Sequence, residues 1–370
     1  MTRRSQAQAD IDDDAREGKR QKMEEEEVEV SASAPRAAGP VMQAFEPRHP
    51  DLWYRDGNVI VAADGMSFKV HAGILEKHST VFRELLDDTR PREQPLGVFE
   101  GCSVLRVDDH GEDLAEVLQV LYDGGSGGFF DWKKPIEFPH LRKVTLVAIK
   151  YNVQHVIREV IARLGYMFPS SFEPSRLKLH HYENAQPWHP VRFSHVGEAS
   201  TVVVLARAIN QEEPPAFIFM ALYHCLGMKA DVLRHPDHQD EGWSLSHEDF
   251  VRCMLATDSL VAKCSTVRGC VVDALQKPLC SNESCRSGVQ RLVCDWIQRG
   301  MFSDFDVLRS CDHELRKQAK KHPVHKLCKG CEKTFIRAID AERREVFADL
   351  GKTFDIPNWP AAQVQPQPSA

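Results

Sequence analysis

The apolar positions of the stretch 55–86 change their spacing twice. An apolar run at 59–61 lies between two turn sequences, Asp-Gly-Asn at 56–58 and Asp-Gly at 64–65. Apolar and polar residues then alternate over 66–70, which is the period of a half-buried strand. The pattern therefore predicts two short strands joined by a tight turn.

Helical spacing follows this hairpin directly. A first short helix is predicted to begin at His71, and Ser79 is predicted to be the N-cap of a second helix. The second helix has apolar residues at i, i+3 and i+4, namely Val81, Phe82, Leu85 and Leu86. One compact stretch thus encodes two strands and two helices.

Further elements follow the same rules in the middle of the chain. A third strand is predicted over 104–107, and a helix with one apolar face is predicted over 113–121. Gly124 is the expected C-cap of that helix. Two more amphipathic helices are predicted over 140–151 and 153–167.

All elements predicted beyond residue 196 are helical. The apolar spacing places them over 198–209, 217–226, 246–264, 282–299 and 328–350. The predicted fold class is therefore α+β, with a small sheet and clustered helices followed by an all-α C-terminal domain.

Shifts in composition indicate the domain boundaries, and 370 residues are enough for about two domains. Residues 1–44 contain acidic runs and a segment of Ser, Ala, Pro and Gly, so we predict a disordered acidic tail with too little apolar surface to fold. The first folded domain is predicted over 52–169, a linker over 170–195, a helical domain over 196–355 and a tail over 356–370.

Charge and cysteine content narrow the function classes. A net charge of −7 and a pI near 6.2 argue against direct nucleic-acid binding. The sequence contains no run of about 18 apolar residues, so no membrane span is predicted. Eleven cysteines in a chain without a secretory signal indicate reduced thiols, so we expect a cytoplasmic and/or nuclear protein. A basic run at 19–22 could be a nuclear signal, although a solvated mixed-charge tail is the favoured interpretation.

The first domain resembles the BTB/POZ domain, in particular its fungal (basidiomycete) form. The segments that carry the resemblance are Asp-Gly-Asn-Val at 56–59, Phe-x-Val-His-x-Gly-Ile-Leu at 68–75 and His-Ser-x-Val-Phe at 78–82. Leu-Tyr-x-Gly at 121–124 and Lys-Tyr-Asn-Val at 150–153 extend it to the end of the domain. The hallmark positions are Asp56, Gly57, Phe68, His71, Leu75, Ser79, Phe82 and Tyr122.

The resemblance implies protein binding without catalysis. A scaffold or adaptor of this kind would bind itself or another protein, such as a cullin of a ubiquitin ligase, or would act as a transcription-associated scaffold. Many dimeric BTB domains begin with an extra helix and strand that exchange between subunits. Pro47 and Pro50 stand where that helix would lie, which argues against this route of dimerisation.

Motifs for catalysis are not found in the sequence. His247-Glu248 is not followed by the second histidine of a zinc protease, since position 251 is Val251. The Gly-x-Ser-x-Gly sequence of hydrolases is absent, and no pair of carboxylates is arranged for acid/base catalysis. We therefore expect that the protein is not an enzyme.

Four cysteines near the C-terminus are the candidates for a metal site: Cys280, Cys285, Cys328 and Cys331. The Cys-x-x-Cys spacing of the second pair lets two thiolates reach one tetrahedral zinc, and the first pair could complete a four-cysteine site. Alternatively, His322 and His325, which precede the second pair, could hold a single zinc with it, and Pro323 is compatible with the tight turn that this site needs. The favoured interpretation is that the cysteines are small apolar core residues, so no cofactor is expected. The alternative function is a zinc-containing nuclear regulatory protein.

Overall fold

The computed structural model describes residues 47–87, 97–123, 128–172, 189–194, 197–228, 244–276, 280–302, 304–308, 311, 315 and 327–356. The predicted acidic tail 1–44, with its basic run at 19–22, lies outside the described residues. So do Gly124, His322 and His325, and all of the predicted C-terminal tail except Ile356.

Five strands form a mixed sheet in the first half of the chain. They are β1 (Arg48–Trp53), β2 (Val59–Asp64), β3 (Met66–Val70), β4 (Gly97–Phe99) and β5 (Cys102–His110), in the order β1-β3-β2-β5-β4. The central strand β2 pairs antiparallel with β3 and parallel with β5. Two short strands, β6 (Ile136–Glu137) and β7 (Val191–Arg192), form a separate parallel pair.

Helices make up most of the remaining described residues. In chain order they are α1 (Ala72–His78), α2 (Thr80–Leu86), α3 (Gly111–Asp123), α4 (Phe138–Lys150), α5 (Gln154–Met167), α6 (Glu198–Ile209), α7 (Ile218–Cys225), α8 (His247–Gln276), α9 (Glu283–Gln298), α10 (Lys329–Ala348) and α11 (Leu350–Thr353). The architecture is α+β, as predicted. Of the helices described, none combines the length and the apolar character needed to cross a bilayer.

The predicted hairpin and its helix pair are confirmed. β2 and β3 pair from Val59–Val70 to Ala63–Met66, and the turn between them uses Gly65 at φ +75°. Side chains of β2 alternate between a large core on the helical side and a small cluster on the other side. Both faces are therefore apolar, which explains the continuous apolar run at 59–61.

The first strand lies outside the predicted elements. β1 begins at Arg48 and pairs parallel with β3, so Leu52, the predicted domain start, lies inside a strand. The Pro47 carbonyl accepts the Ser67 N–H at 3.0 Å. β1 is an edge strand, and proline is tolerated at edges because only one side of the strand needs donors. The prolines exclude a helix here but not this strand.

The long helix α8 extends well past its predicted end at 264. Polar residues after that position interrupt the apolar pattern in the sequence. Val267 and Val271 nevertheless continue the buried face of Leu260 and Cys264 at spacings of three and four. The packing of a few buried residues is enough to continue the helix where the apolar spacing in the sequence is interrupted.

A fully buried arginine joins three separate segments of the chain. Arg163 of α5 donates to the Phe129 carbonyl at 2.7 Å, to the Pro190 carbonyl at 2.9 Å and to the Glu159 carboxylate at 2.7 Å. Pro190 lies in the predicted linker 170–195, and β7 follows it. The described part of the linker is therefore held against the first predicted domain. One apolar core also runs from that domain into the C-terminal helices, and the domain boundaries stay predictions.

Replacing Arg163 by Lys should lower the free energy of unfolding by about 3 kcal/mol, because one ammonium group cannot reproduce the planar fork that serves three acceptors. Urea denaturation followed by circular dichroism measures this change. Arg158→Lys, at an exposed position of the same helix, is the matched control and should change the value by less than about 0.5 kcal/mol. Equal effects of the two substitutions would contradict the role of Arg163.

Candidate functional site

The apolar hallmark residues lie in the core. Phe68, Leu75 and Phe82 have no exposed side-chain surface, and Ser79 is 1% exposed. The Phe82 ring stacks on Tyr151 with centroids 4.1 Å apart. These side chains hold the module together and cannot form a surface that a partner contacts.

Ser79 links the helix pair to the end of α4. Its Oγ accepts the Phe82 N–H at 2.9 Å, which is the predicted N-cap of α2. The same hydroxyl donates to the Tyr151 carbonyl at 2.5 Å. One buried hydroxyl thus satisfies a helix start and a helix end that are distant in sequence.

The polar hallmark residues form a hydrogen-bonded joint beside the hairpin. The Tyr122 hydroxyl accepts the His71 N–H at 2.7 Å and lies 3.0 Å from His71 Nδ1. His71 Nε2 is 3.4 Å from Asp56, and the Tyr54 ring stacks on Tyr122 with centroids 4.6 Å apart. Burial raises the pKa of Tyr122 to about 12, so its hydroxyl stays neutral. The joint fixes the start of α1.

Gly57 permits the close approach of the turn to β3. A Cβ at this position would lie 2.9 Å from Lys69 Cγ and 3.0 Å from the Lys69 carbonyl. Lys69 pairs with Ile60 in the sheet and its carbonyl accepts the Tyr54 N–H at 2.8 Å, so its backbone is held in place. Gly73 in α1 has open space where its Cβ would be.

A basic pocket lies where α1 and α2 meet the start of α5. We define the basic pocket by its five basic residues, Lys77, His78, Arg83, His155 and Arg158. Its volume is about 250 Å³, and its remaining lining residues are Ser79, Thr80, Asn152 and Gln154. None of its described lining residues carries a carboxylate. No sequence pattern predicts this pocket, because its residues come from segments that only the fold brings together.

The two histidines of the basic pocket lie side by side. Their ring centroids are 4.8 Å apart, and Phe130 stacks on His155 at 5.9 Å. Burial lowers the pKa of both histidines, with Lys77 acting on His78 and with His78 and Arg158 acting on His155. Both rings therefore stay neutral to a lower pH than an ordinary histidine does.

The four candidate cysteines converge on one point. Their Sγ atoms all lie within 4.8 Å of one another. Cys280 precedes α9 and Cys285 lies in its first turn, while Cys328 is the N-cap of α10 and Cys331 lies in its first turn. The fold therefore brings together all four cysteines that the sequence indicates as metal candidates.

Backbone donors face the sulfur atoms of this cluster. The Cys328 N–H donates to Cys285 Sγ at 3.3 Å, and the Cys331 N–H donates to Cys328 Sγ at 3.4 Å. The Cys331 N–H lowers the pKa of the Cys328 thiol to about 7. Burial raises the pKa of Cys331. Cys285 and Cys331 are buried as predicted, whereas Cys328 is exposed and Cys280 is partly exposed.

Comparison with known proteins gives no assignment. None of the protein-family models matches the chain, and none of the curated proteins matches it significantly. The resemblance to the BTB/POZ domain therefore rests on the sequence motifs alone.

The substitution Gly57→Ala is expected to lower the free energy of unfolding by about 1–3 kcal/mol, because the new methyl group overlaps the Lys69 backbone. Gly73→Ala is the matched control and should raise the stability by up to about 1 kcal/mol, since it adds helix propensity in open space. Urea denaturation of the two variants checks the pair. A stable Gly57→Ala protein would show that the turn has room to move.

Acid should destabilise the protein through the basic pocket. The folded pKa values of His78 and His155 lie below the ordinary 6.5. The share of the free energy of unfolding that depends on their neutral form is fully present above pH 6.5. It is lost as the pH falls through the folded pKa values, because the unfolded chain binds more protons than the folded chain in this range. Urea denaturation between about pH 7.5 and about pH 5 measures the slope.

The double variant His78→Gln/His155→Gln should flatten this pH dependence. His110→Gln, at an exposed position at the end of β5, is the control and should leave the slope as in the wild type. An unchanged slope in the double variant would mean that other groups cause the acid sensitivity.

Proposed function

We propose that the protein is a non-enzymatic interaction protein built on a BTB/POZ-type module, which acts as a scaffold or adaptor. The observation that carries the proposal is that the hallmark residues contact one another in space. Tyr122 bonds to His71, and both Ser79 and Phe82 contact Tyr151. The quoted motifs thus belong to one structural unit, and their polar groups are engaged in holding it.

The basic pocket is the surface that we propose for partner binding. It concentrates positive charge on a chain whose net charge is −7. Arg83 and Arg158 are exposed at its rim, where guanidinium groups can bind carboxylates. The partner is therefore a protein with an acidic segment, and a cullin of a ubiquitin ligase is the specific candidate.

Self-association by strand exchange is the less favoured version of this function. Pro47 and Pro50 argue against a helix directly before β1, where the helix that accompanies an exchanged strand would lie. β1 pairs with β3 of its own chain. Both observations favour a partner other than a second copy of the chain.

A second candidate function is a zinc-containing nuclear regulatory protein. One observation favours it, the convergence of four thiols within 4.8 Å. This candidate is compatible with the interaction function, because the cysteines and the basic pocket belong to different helices.

Proximity labelling with the full-length chain tests the interaction function. The double variant Arg83→Glu/Arg158→Glu reverses the charge of the basic pocket at two exposed positions and should reduce the labelling of direct partners about tenfold or more, because like charges then face an acidic segment. Lys333→Glu/Arg337→Glu, two exposed residues of α10, makes the same charge change and should leave labelling intact.

The outcomes separate the versions of the proposal. Recovery of a cullin with the wild type and with the α10 variant supports the ubiquitin-ligase version. Partners that depend on the pocket but include no cullin support a scaffold of another kind. Identical labelling by the wild type and the pocket variant would overturn the basic pocket as the interaction surface.

A further inference from the structure

The four thiols of the cysteine cluster match the size of a zinc site. Zinc–sulfur bonds are about 2.3 Å long, so the sulfur atoms of a tetrahedral site lie about 3.8 Å apart. The Sγ atoms of the cluster all lie within 4.8 Å of one another. A contraction of about 1 Å or less, within the reach of side-chain rotation, would complete the tetrahedron.

Apolar packing does not explain the whole cluster. Cys285 and Cys331 are buried on the apolar faces of their helices, as core cysteines are. Cys328 is exposed, and Cys280 is partly exposed, yet both place their sulfur atoms beside the buried pair. Burial of apolar surface stabilises an exposed thiol little, so it does not explain why these sulfur atoms lie beside the buried pair. A shared metal ion would require all four sulfur atoms to lie close together.

The surroundings of the thiols suit negative charge. The N-terminal ends of α9 and α10 both lie at the cluster, and helix N-termini stabilise anions. The N–H groups of Cys328 and Cys331 point at sulfur acceptors. Hydrogen bonds of this kind orient thiolate ligands and offset their charge around a metal.

We propose that Cys280, Cys285, Cys328 and Cys331 bind one Zn²⁺ and so fasten the start of α9 to the start of α10. The four thiols lose their protons to solvent when the ion binds, and the thiolates fill all four positions of the tetrahedron. No position is left for water or substrate, so the site is structural rather than catalytic.

The zinc would close one end of the α9–α10 contact. Farther along the two helices, the rings of Trp296 and Phe335 pack with centroids 5.6 Å apart, and both are almost fully buried. Metal–thiolate bonds would thus join the two helices at their N-termini, and aromatic packing joins them farther along. This inference does not rest on the proposed interaction function.

Elemental analysis of the purified full-length protein tests the site. The wild type, prepared with a reductant, should contain about one zinc per chain. Cys328→Ser and Cys280→Ser should each lose most of this zinc. Both cysteines have exposed surface, so the substituted chains should still fold, which circular dichroism verifies. Cys294→Ser is the matched control, because Cys294 is an exposed cysteine of α9 outside the cluster, and it should retain the zinc.

A chelator provides a second measurement that is independent of the preparation. EDTA should lower the thermal midpoint of the wild type and of Cys294→Ser, and added Zn²⁺ should restore it, because the ion binds only the folded chain. Cys328→Ser should respond far less to either treatment. Refolding with Co²⁺ should give the visible absorption of a tetrahedral thiolate site in the wild type only, compared with Cys328→Ser.

Three results would each overturn the proposal. The first is zinc far below one equivalent in wild-type protein refolded with Zn²⁺ under reducing conditions. The second is disulfide bonds among the four cysteines in the native protein, shown by thiol labelling and mass spectrometry. The third is iron in place of zinc, since four thiolates also suit iron.

Discussion

The guanidinium of Arg163 has no contact with solvent, and a buried charge is tolerated only when its hydrogen bonds are satisfied. Carbonyl groups of Phe129 and Pro190 and the carboxylate of Glu159 meet this requirement. The requirement brings Phe129 and the described part of the linker onto α5. Around it, β6 pairs with β7 and the Phe138 ring stacks on Phe193. A polar contact inside an apolar core thus holds the described part of the segment that joins the sheet-containing half to the helical half.

The histidines, Tyr122 and the clustered cysteines lie in three different surroundings. His71 and Tyr122 face each other in a joint that leaves both engaged. His78 and His155 have a different setting, because cations surround them and an open pocket lies before them. The cysteine cluster is a third setting, in which helix N-termini and backbone N–H groups favour thiolates. The two proposed properties, partner binding by exposed charge and metal binding by thiolates, thus belong to separate surfaces.

Local spacing predicted much of the fold. The hairpin, the Ser79 cap and the helix 198–209 follow from contacts between residues a few positions apart, and the structure confirms them. The strand at 48–53 lies outside the predicted elements, because Pro47 and Pro50 exclude a helix and give no strand signal, although an edge strand accepts them. The helix α8 runs past its predicted end because Val267 and Val271 continue its buried face, which the weak local pattern after residue 264 does not indicate.

The sequence by itself determined which residues could act: it supplied a Cys-x-x-Cys pair, a second cysteine pair and scattered basic side chains. The tertiary structure alone decided that the four thiols meet and that Arg83 lies across a pocket from Arg158. It also decided that Arg163 is buried, although its place on α5 gave no sign of this. The physical reason is the range of the information. Periodicity specifies neighbours within about one helical turn or strand repeat, whereas distances between remote segments follow from how the apolar faces pack together.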